Sequence, residues 1–360
     1  MLLITGATGL VGGLLRHAMP GEKIGVSRFW QPPESGLTWI RGDLATDDLG
    51  LRARSRRDLQ RRITAIVHCA ADVRFTNPIE QARNVNTLGT ARLLEFARGC
   101  PRLRHFAHLS TVYVFGAGQG ILPEGPAQAE KWISSYERSK YEAETLVLEA
   151  ARTMPAAIYR LSSIFGDAST GRVRQFNHVH QMLRLMPRHL LPAIPGDPEA
   201  PMDLIPSDAA GAALAYLISR EPEPGSVWNV CAGADRSWTL SEIIEAAVAA
   251  YHAEGQFIRG PRLIAPGDFA ALAVRFSRLA TDLMHVASHF LPHLALRQYF
   301  ACERTREVLA SAGFDLPHIG TYFARVMRYC FATQWGNTET VSPSSDVVLR
   351  TPVAATVSGD

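Results

Sequence analysis

The sequence contains no CxxC pair and no HExxH element, and its five cysteines (Cys69, Cys100, Cys231, Cys302 and Cys330) stand far apart. An odd number of scattered thiols excludes a disulfide framework and reads as reduced core cysteines. Among the twelve histidines, His178 with His180 and His285 with His289 are spaced to share a local face. No carboxylate or cysteine pattern completes either pair, so no metal is expected. A run of about 18 uninterrupted apolar residues is also missing, which argues against a membrane span. The opening MLLITGATG has neither a basic stretch nor a cleavage site, so no secretory signal is expected and the chain is assigned to the cytoplasm. Charge of one sign is not in excess. A net charge of +3 gives no general case for nucleic acid or a membrane surface as partner. No internal repeat is visible.

What is present is a chain of 360 residues, 47% apolar and 20% charged, which can bury a sizeable core. Short apolar runs at 2–5, 22–27, 37–43, 65–71, 104–111 and 156–162 read as strands. Helical patterns lie between most of them, at 10–18, 52–62, 87–98 and 137–152. Strand–helix alternation with buried strands predicts an α/β fold, a doubly wound parallel Rossmann sheet. After Gly166 the rhythm changes. Residues 228–233 read as a returning strand, 239–253 as a helix capped by Thr239 or Ser241, and 268–330 as largely helical. The expected organisation is a dinucleotide-binding domain over 1–166, completed by a strand near 226–233. A smaller, mostly helical substrate lobe over 167–333 and a flexible tail over 334–360 follow.

The stretch Thr5-Gly6-Ala7-Thr8-Gly9-Leu10-Val11-Gly12 follows the first strand and opens the first helix. Gly6 permits the tight turn, Gly9 lets backbone amides approach a pyrophosphate, and Gly12 lets the helix pack close to the strand. Phosphates would rest at the helix N-terminus, where free N–H groups and the dipole favour anions, with Thr8 and Leu10 beside them. The second strand ends in Ser27-Arg28, where an NAD site would carry an acidic residue for the ribose hydroxyls. A hydroxyl and a guanidinium suit a 2′-phosphate, which favours NADPH over NADH. Asp43 and Leu44 are expected to border the adenine. The small residues Ala70 and Ala71, after the fourth strand, would let the cofactor lie close. Leu161 and Ile164 are expected to contribute further cofactor contacts.

Tyr136 and Lys140 stand four residues apart at the start of a predicted helix, on one face. A nearby ammonium stabilises a phenolate and eases proton transfer near neutrality. Lys140 is also placed to bind the nicotinamide ribose. Thr111, at the end of the fifth strand, would aim its hydroxyl at a substrate carbonyl oxygen, with Ser110 as its neighbour.

These residues resemble an extended short-chain dehydrogenase. TGATGLVG, Asp43-Leu44, HCAADVRF at 68–75, Asn86-Thr87-Leu88-Gly89-Thr90, LSTVYVFG at 109–116 and YERSK at 136–140 occur in that family's order over roughly 1–235. The resemblance implies catalysis by Thr111, Tyr136 and Lys140, with Asn86 supporting the central helix and active site. HCAADVRF, the NxxGT element followed by ARLLEFA, and STVYVFG are similar to the thioester reductase branch. That branch includes reductase domains of carboxylic acid reductases and peptide synthetases, and fatty acyl-CoA reductases. GDASTGRVRQF at 166–176, MDLIPSDAAGAAL at 202–214 and FACERTREVLASAGF at 300–314 extend the likeness.

The resemblance implies reduction of an acyl thioester, as a CoA ester or on an acyl carrier protein, to aldehyde or alcohol. A ketone reductase or hydroxyl dehydrogenase would use the same residues, and a non-catalytic cofactor sensor could share the fold. Phe176, Met182, Leu183, Leu185, Met186, Leu190, Leu191 and Ile194 form either an acyl channel or ordinary lobe core. Phe276, Leu283, Met284, Phe290, Leu291 and Leu294 could cap the pocket or associate loosely with a membrane, with a core helix the favoured reading. Arg52, Arg54, Arg56, Arg57, Arg61 and Arg62 could steer CoA phosphates or an acidic carrier protein, but a solvated helix face is the favoured reading. Helices 87–98 and 137–152 are the expected contacts of a homodimer.

Overall fold

The computed structural model describes residues 1–188, 193–265 and 290–337. Its strands begin with β1 (Leu2–Thr5), β2 (Lys23–Ser27), β3 (Leu37–Arg41), β4 (Ala65–His68), β5 (His105–Thr111), β6 (Gly120–Leu122) and β7 (Ala156–Leu161). They continue with β8 (Ser163–Ile164), β9 (Ala193–Pro195), β10 (Pro201–Met202), β11 (Leu204–Ile205), β12 (Val227–Val230), β13 (Trp238–Thr239), β14 (Arg262–Ile264) and β15 (Gln298–Phe300). The helices are α1 (Leu10–Ala18), α2 (Ala53–Arg62), α3 (Ile79–Arg98), α4 (Ser135–Ala150) and α5 (His178–Leu185). Then come α6 (Ser207–Ser219), α7 (Leu240–Ala253), α8 (Glu303–Ser311) and α9 (Phe323–Ala332).

Seven strands form one sheet in the order β12-β7-β5-β4-β1-β2-β3, every neighbouring pair parallel. This is the doubly wound fold expected from the alternation of strands and helices. Helices cover both faces, so a central strand needs apolar side chains on each side. That is why LLIT and AAIYRL read as runs and not as alternations; each of their residues is buried. One face packs Leu2, Ile4, Val67, Ala107 and Tyr159 against α1 and α6. The other packs Leu3, Ile66, Phe106 and Ile158 against α3 and α4 residues such as Leu93 and Val147. The chain turns from β1 to β2 and β3 on one side, then crosses to β4 on the other. That reversal opens a crevice at the carboxyl ends of β1 and β4, where such sheets bind ligands.

α3 is longer than its sequence pattern. It starts at Ile79 after Pro78, eight residues before the expected start. Asn86, Thr87 and Gly89 interrupt the apolar period but are needed for close packing. A Cβ on Gly89 would lie 3.1 Å from that of Leu44. α7 starts where the capping pattern places it: Thr239 accepts from Glu242 N, and the Glu242 side chain returns to Thr239 N.

Beyond β7 the chain builds a second core from Phe165, Leu183, Leu240, Tyr251, Tyr322, Val326 and Met327. Leu183, Met186 and Ile194 are buried in it, so they hold this lobe together instead of lining an open acyl channel. Leu190, Leu191, Phe276, Leu283, Met284, His285 and His289 lie outside the described residues. The region read as helical over 268–330 also contains β15, which pairs with β6 and ties the late chain to the loop after β5. Trp335 packs on Phe176 and Phe331.

Candidate active site

The glycine loop closes on the neighbouring strand end. Gly6 sits at φ +67°, and a Cβ there would come within 2.6 Å of Ala70 N. A Cβ on Gly12 would drive into the Gly6 carbonyl oxygen, so only glycine lets the first turn of α1 rest on the loop. Gly9 caps α1 with no side-chain hydrogen bond, and no acidic residue occupies the first turn. Thr8 and Gly9 are exposed and Leu10 is half-buried. An uncapped helix N-terminus at a glycine turn leaves amides and the positive dipole end free for an anion. Thr5 Oγ1 accepts from Ala70 N (3.3 Å), fixing the half-buried Ala70 and Ala71 beside this cradle. The loop therefore fits the pyrophosphate of a nicotinamide dinucleotide.

At the adenosine end, Arg28 lines an open groove of about 690 Å³ together with Arg41, Asp43, Arg52 and Arg62. Ser27 Oγ accepts from Phe29 N and Gln31 Nε2. Arg41 is directly opposite Ser27 in the β2–β3 register. The sequence reading passed over Arg41; its signal was a basic residue ending the third strand. Asp43 Oδ1 accepts from Ala45 N and shapes the turn. Leu44, packed against Gly89 of α3, and Leu161 and Ile164 are buried core residues.

Thr111 ends β5, and Tyr136 and Lys140 rise from the first turns of α4. Ser134 starts that helix, accepting from Glu137 N and donating to Glu137 Oε1. The phenol of Tyr136 stacks on Phe75, with ring centroids 5.4 Å apart. Burial pushes its pKa above the ordinary tyrosine range, the Thr111 hydroxyl pulls it back, and the Glu137 carboxylate raises it further. Ser110 Oγ is buried without a hydrogen-bond partner.

Lys140 is where the structure departs from the simple picture of an ammonium beside a phenol. It is 2% exposed, and its Nζ donates to the Leu109 carbonyl (2.7 Å) and meets His108 Nε2 (3.1 Å). Neither hydrogen bond goes to Tyr136. A buried ammonium must find acceptors, and the end of β5 supplies them. Burial lowers its pKa from 10.5 to about 8, with Glu144 and then Cys69 opposing the shift. The His108 ring lies 5.1 Å from that of His68. His68 in turn contacts Thr5 Oγ1 (2.8 Å) and Thr90 Oγ1 (2.9 Å). Burial holds both rings neutral, His68 at about 3 and His108 well below its ordinary value. A polar thread therefore runs under the site from the glycine loop to Lys140. The sequence reading did not single out His68 or His108; a histidine inside an apolar strand was the available signal.

Asn86 is buried and makes three bonds: it accepts from Asp72 N (2.7 Å) and donates to Asp72 O and Ser139 Oγ. It thereby ties the loop after β4 to α4. The DLIPSD element is also structural. Asp203 accepts from Ala232 N and Gly233 N, and Asp208 accepts from Ala168 N and Ser169 N. No group of histidines, cysteines and carboxylates suited to a metal occurs among the described residues, and no described helix is long and apolar enough to cross a membrane.

Comparison with known proteins places these features. The family model described as "Male sterility protein", an NAD-binding family, matches residues 23–214. The non-canonical nonribosomal peptide synthetase cpsA of Aspergillus campestris is 26% identical over 267 residues, 64% of this chain and 25% of that protein. The alcohol-forming fatty acyl-CoA reductase of Simmondsia chinensis is 26% identical over 214 residues, 57% of this chain and 41% of that one. The chain thus matches well under half the length of either relative. The terminal R domain from the myxalamid PKS-NRPS biosynthetic pathway superimposes with a TM-score of 0.77 at 22% identity, covering 93% of this chain and 91% of that one. The chain belongs to the male sterility protein family of NAD-binding domains, on an extended short-chain dehydrogenase fold.

Proposed function

We propose that this chain reduces an acyl thioester to an aldehyde or alcohol with NADPH as reductant. The reading is supported by the Thr111 hydroxyl at the end of β5 bonding Tyr136, with Lys140 one turn on and the uncapped N-terminus of α1 following β1 of the same parallel sheet, in a chain similar to acyl-CoA reductases and peptide synthetases. Gly6, Thr8, Gly9, Leu10 and Gly12 would hold the pyrophosphate. Ser27, Arg28 and Arg41 would face the adenosine ribose and favour a 2′-phosphate. Ala70 and Ala71 would flank the cofactor, and Tyr136 and Lys140 would face the nicotinamide ribose. When bound, the reduced nicotinamide supplies a hydride.

The protein's own part is to hold charge and move protons. Thr111 and Tyr136 present two hydroxyls to the carbonyl oxygen as negative charge builds there, where preorganised donors act most strongly. Tyr136 gives its proton to that oxygen. Its raised pKa makes the phenol a reluctant acid at rest, so a charge near the phenol must help. Lys140, at about 8, is close to neutral pH and can turn from Leu109 to serve it. The thiohemiacetal so formed collapses to aldehyde and thiol.

The substrate would arrive as a CoA ester or on a separate acyl carrier protein, and the site of action would be the cytoplasm. The dinucleotide domain would span 1–166 with the strand near 226–233, the substrate lobe 167–333, and a tail the rest. Pairing of two copies would use α3 and α4. Purified protein would be assayed for NADPH oxidation with acyl-CoAs, carrier-bound thioesters and ketones, products being identified by mass spectrometry. Aldehyde or alcohol from a thioester, lost in Tyr136→Phe, supports the proposal. Turnover of ketones alone would refute it in favour of a ketone reductase.

A further inference from the structure

Reducing a thioester makes a demand that reducing a ketone does not. After hydride uptake the carbon–sulfur bond must break, and the departing sulfur needs a proton. A thiol has a pKa of roughly 8.5, so a poised acid near the sulfur eases departure at neutral pH. Tyr136 cannot serve both atoms, since it must recover its proton from the oxygen as the carbonyl re-forms.

A second acid–base group lies beside the start of the helix that carries Tyr136. His293 comes from the late lobe, in the short turn Leu291–Ala295, and is 8% exposed. Its Nε2 contacts Glu137 Oε1 at 2.7 Å. Glu137 is fully buried and directly follows Tyr136. It is itself fixed by Ser134 Oγ (2.9 Å) and by Ile133 N (3.0 Å). The imidazole packs against Tyr113 (centroids 5.1 Å) and Phe75 (6.4 Å), and Phe75 is the ring on which Tyr136 stacks. The other ring nitrogen, Nδ1, is buried with no hydrogen-bond partner. A carboxylate that fixes one imidazole nitrogen and leaves the second free is the arrangement of an oriented proton carrier.

We infer that His293, oriented by Glu137, is the acid that protonates the departing sulfur. In the collapse the C–S bond breaks and its electron pair goes to sulfur, which takes the proton from His293 Nδ1. The thiohemiacetal O–H bond gives its electrons to the new C=O, and its proton returns to the Tyr136 phenolate. Solvent then reprotonates His293. No electrons are exchanged with any further reagent. This assignment rests on the thioester reading above.

The test separates leaving-group chemistry from folding. His293→Gln and Glu137→Gln are compared with the unmodified chain on an octanoyl N-acetylcysteamine thioester, an octanoyl 4-nitrothiophenyl thioester and octanal. NADPH binding, followed by fluorescence, reports whether each variant is folded. His293→Gln should lower kcat on the first thioester by about 100-fold relative to octanal, and by less than about 5-fold on the activated one, whose thiolate leaves unaided. Glu137→Gln should move both ratios in the same direction, and carries the test if His293→Gln fails to fold. An equal loss on all three substrates, or no loss, would overturn the assignment and leave the pair as a tie between the lobe and α4. Octanal reduction by the unmodified chain with neither thioester turned over would sink the thioester reading, and the assignment with it.

Discussion

Lys140→Met should make this protein more stable while destroying its activity. Lys140 is 2% exposed, and burial lowers its pKa from 10.5 in the unfolded chain to about 8. A lysine with a depressed folded pKa costs stability wherever the unfolded chain holds the proton more tightly. Below about pH 8 that cost is full: roughly 2.5 units at 1.36 kcal/mol each, or about 3 kcal/mol. It shrinks as pH rises from the folded to the unfolded value, to about 2 kcal/mol at pH 9, and is nearly gone at about 10.5. Methionine has similar length and no charge, so it should fill the same space. Replacing lysine forfeits the bonds to Leu109 O and His108 Nε2 and leaves both without that partner, a cost of about 1 kcal/mol each, or about 2 kcal/mol together. The expected gain is therefore about 1 kcal/mol at pH 7, vanishing near pH 9. Urea unfolding at a series of pH values, followed by tryptophan fluorescence, measures this. A variant less stable than its parent at pH 7, or a difference that ignores pH, would refute the reasoning.

Acid should unfold the protein steeply. His68, His105 and His180 are buried and held at about 3, 4 and 4, so the unfolded chain takes up protons below about 6.5 that the folded chain refuses. Each costs about 2 kcal/mol by pH 5, about 6 kcal/mol together with His108 adding in the same direction, against a typical total of 5–15 kcal/mol. Circular dichroism should show unfolding between about pH 5 and 4 with uptake of three or more protons, and a flat stability from pH 6.5 to 5 would contradict it. Gly12→Ala should abolish dinucleotide binding measured by calorimetry and lower stability by about 1–3 kcal/mol, because its Cβ meets the Gly6 carbonyl; undiminished binding would count against the cradle. Arg28→Ala and Arg41→Ala should each weaken NADPH binding by about 10-fold while leaving NADH nearly untouched, and equal losses for both cofactors would remove the 2′-phosphate assignment.

Much of this architecture was legible because it is written locally. The Gly6-to-Gly12 loop needs only a strand before it and a helix after it, and the buried strands need only apolar runs between turn signals. α3 was the hardest element to bound. Its first two turns carry Glu80, Gln81, Arg83 and Asn84, and their helical state depends on the Pro78 start and on packing against α4. Lys140 shows a different limit. The four-residue spacing to Tyr136 fixes the helix face but not the direction of a long, flexible side chain, and the Leu109 carbonyl that claims its ammonium belongs to another element.

The same reasoning explains why the reading of the lobe fell short. His293 and Glu137 are 156 residues apart. Nothing near His293 distinguishes it from the other histidines, and Glu137 reads as a helix-capping carboxylate following Ser134. Their meeting is a property of the closed fold, produced because β15 pairs with β6 and brings the turn Leu291–Ala295 over the start of α4. The glycine loop proposed to hold the dinucleotide is made of neighbours in sequence. The half that would distinguish a thioester from a ketone is assembled from strangers, and sequence periodicity carries no information about it. Specificity in such a chain should therefore follow the lobe that covers Tyr136 more closely than the motif that contains it.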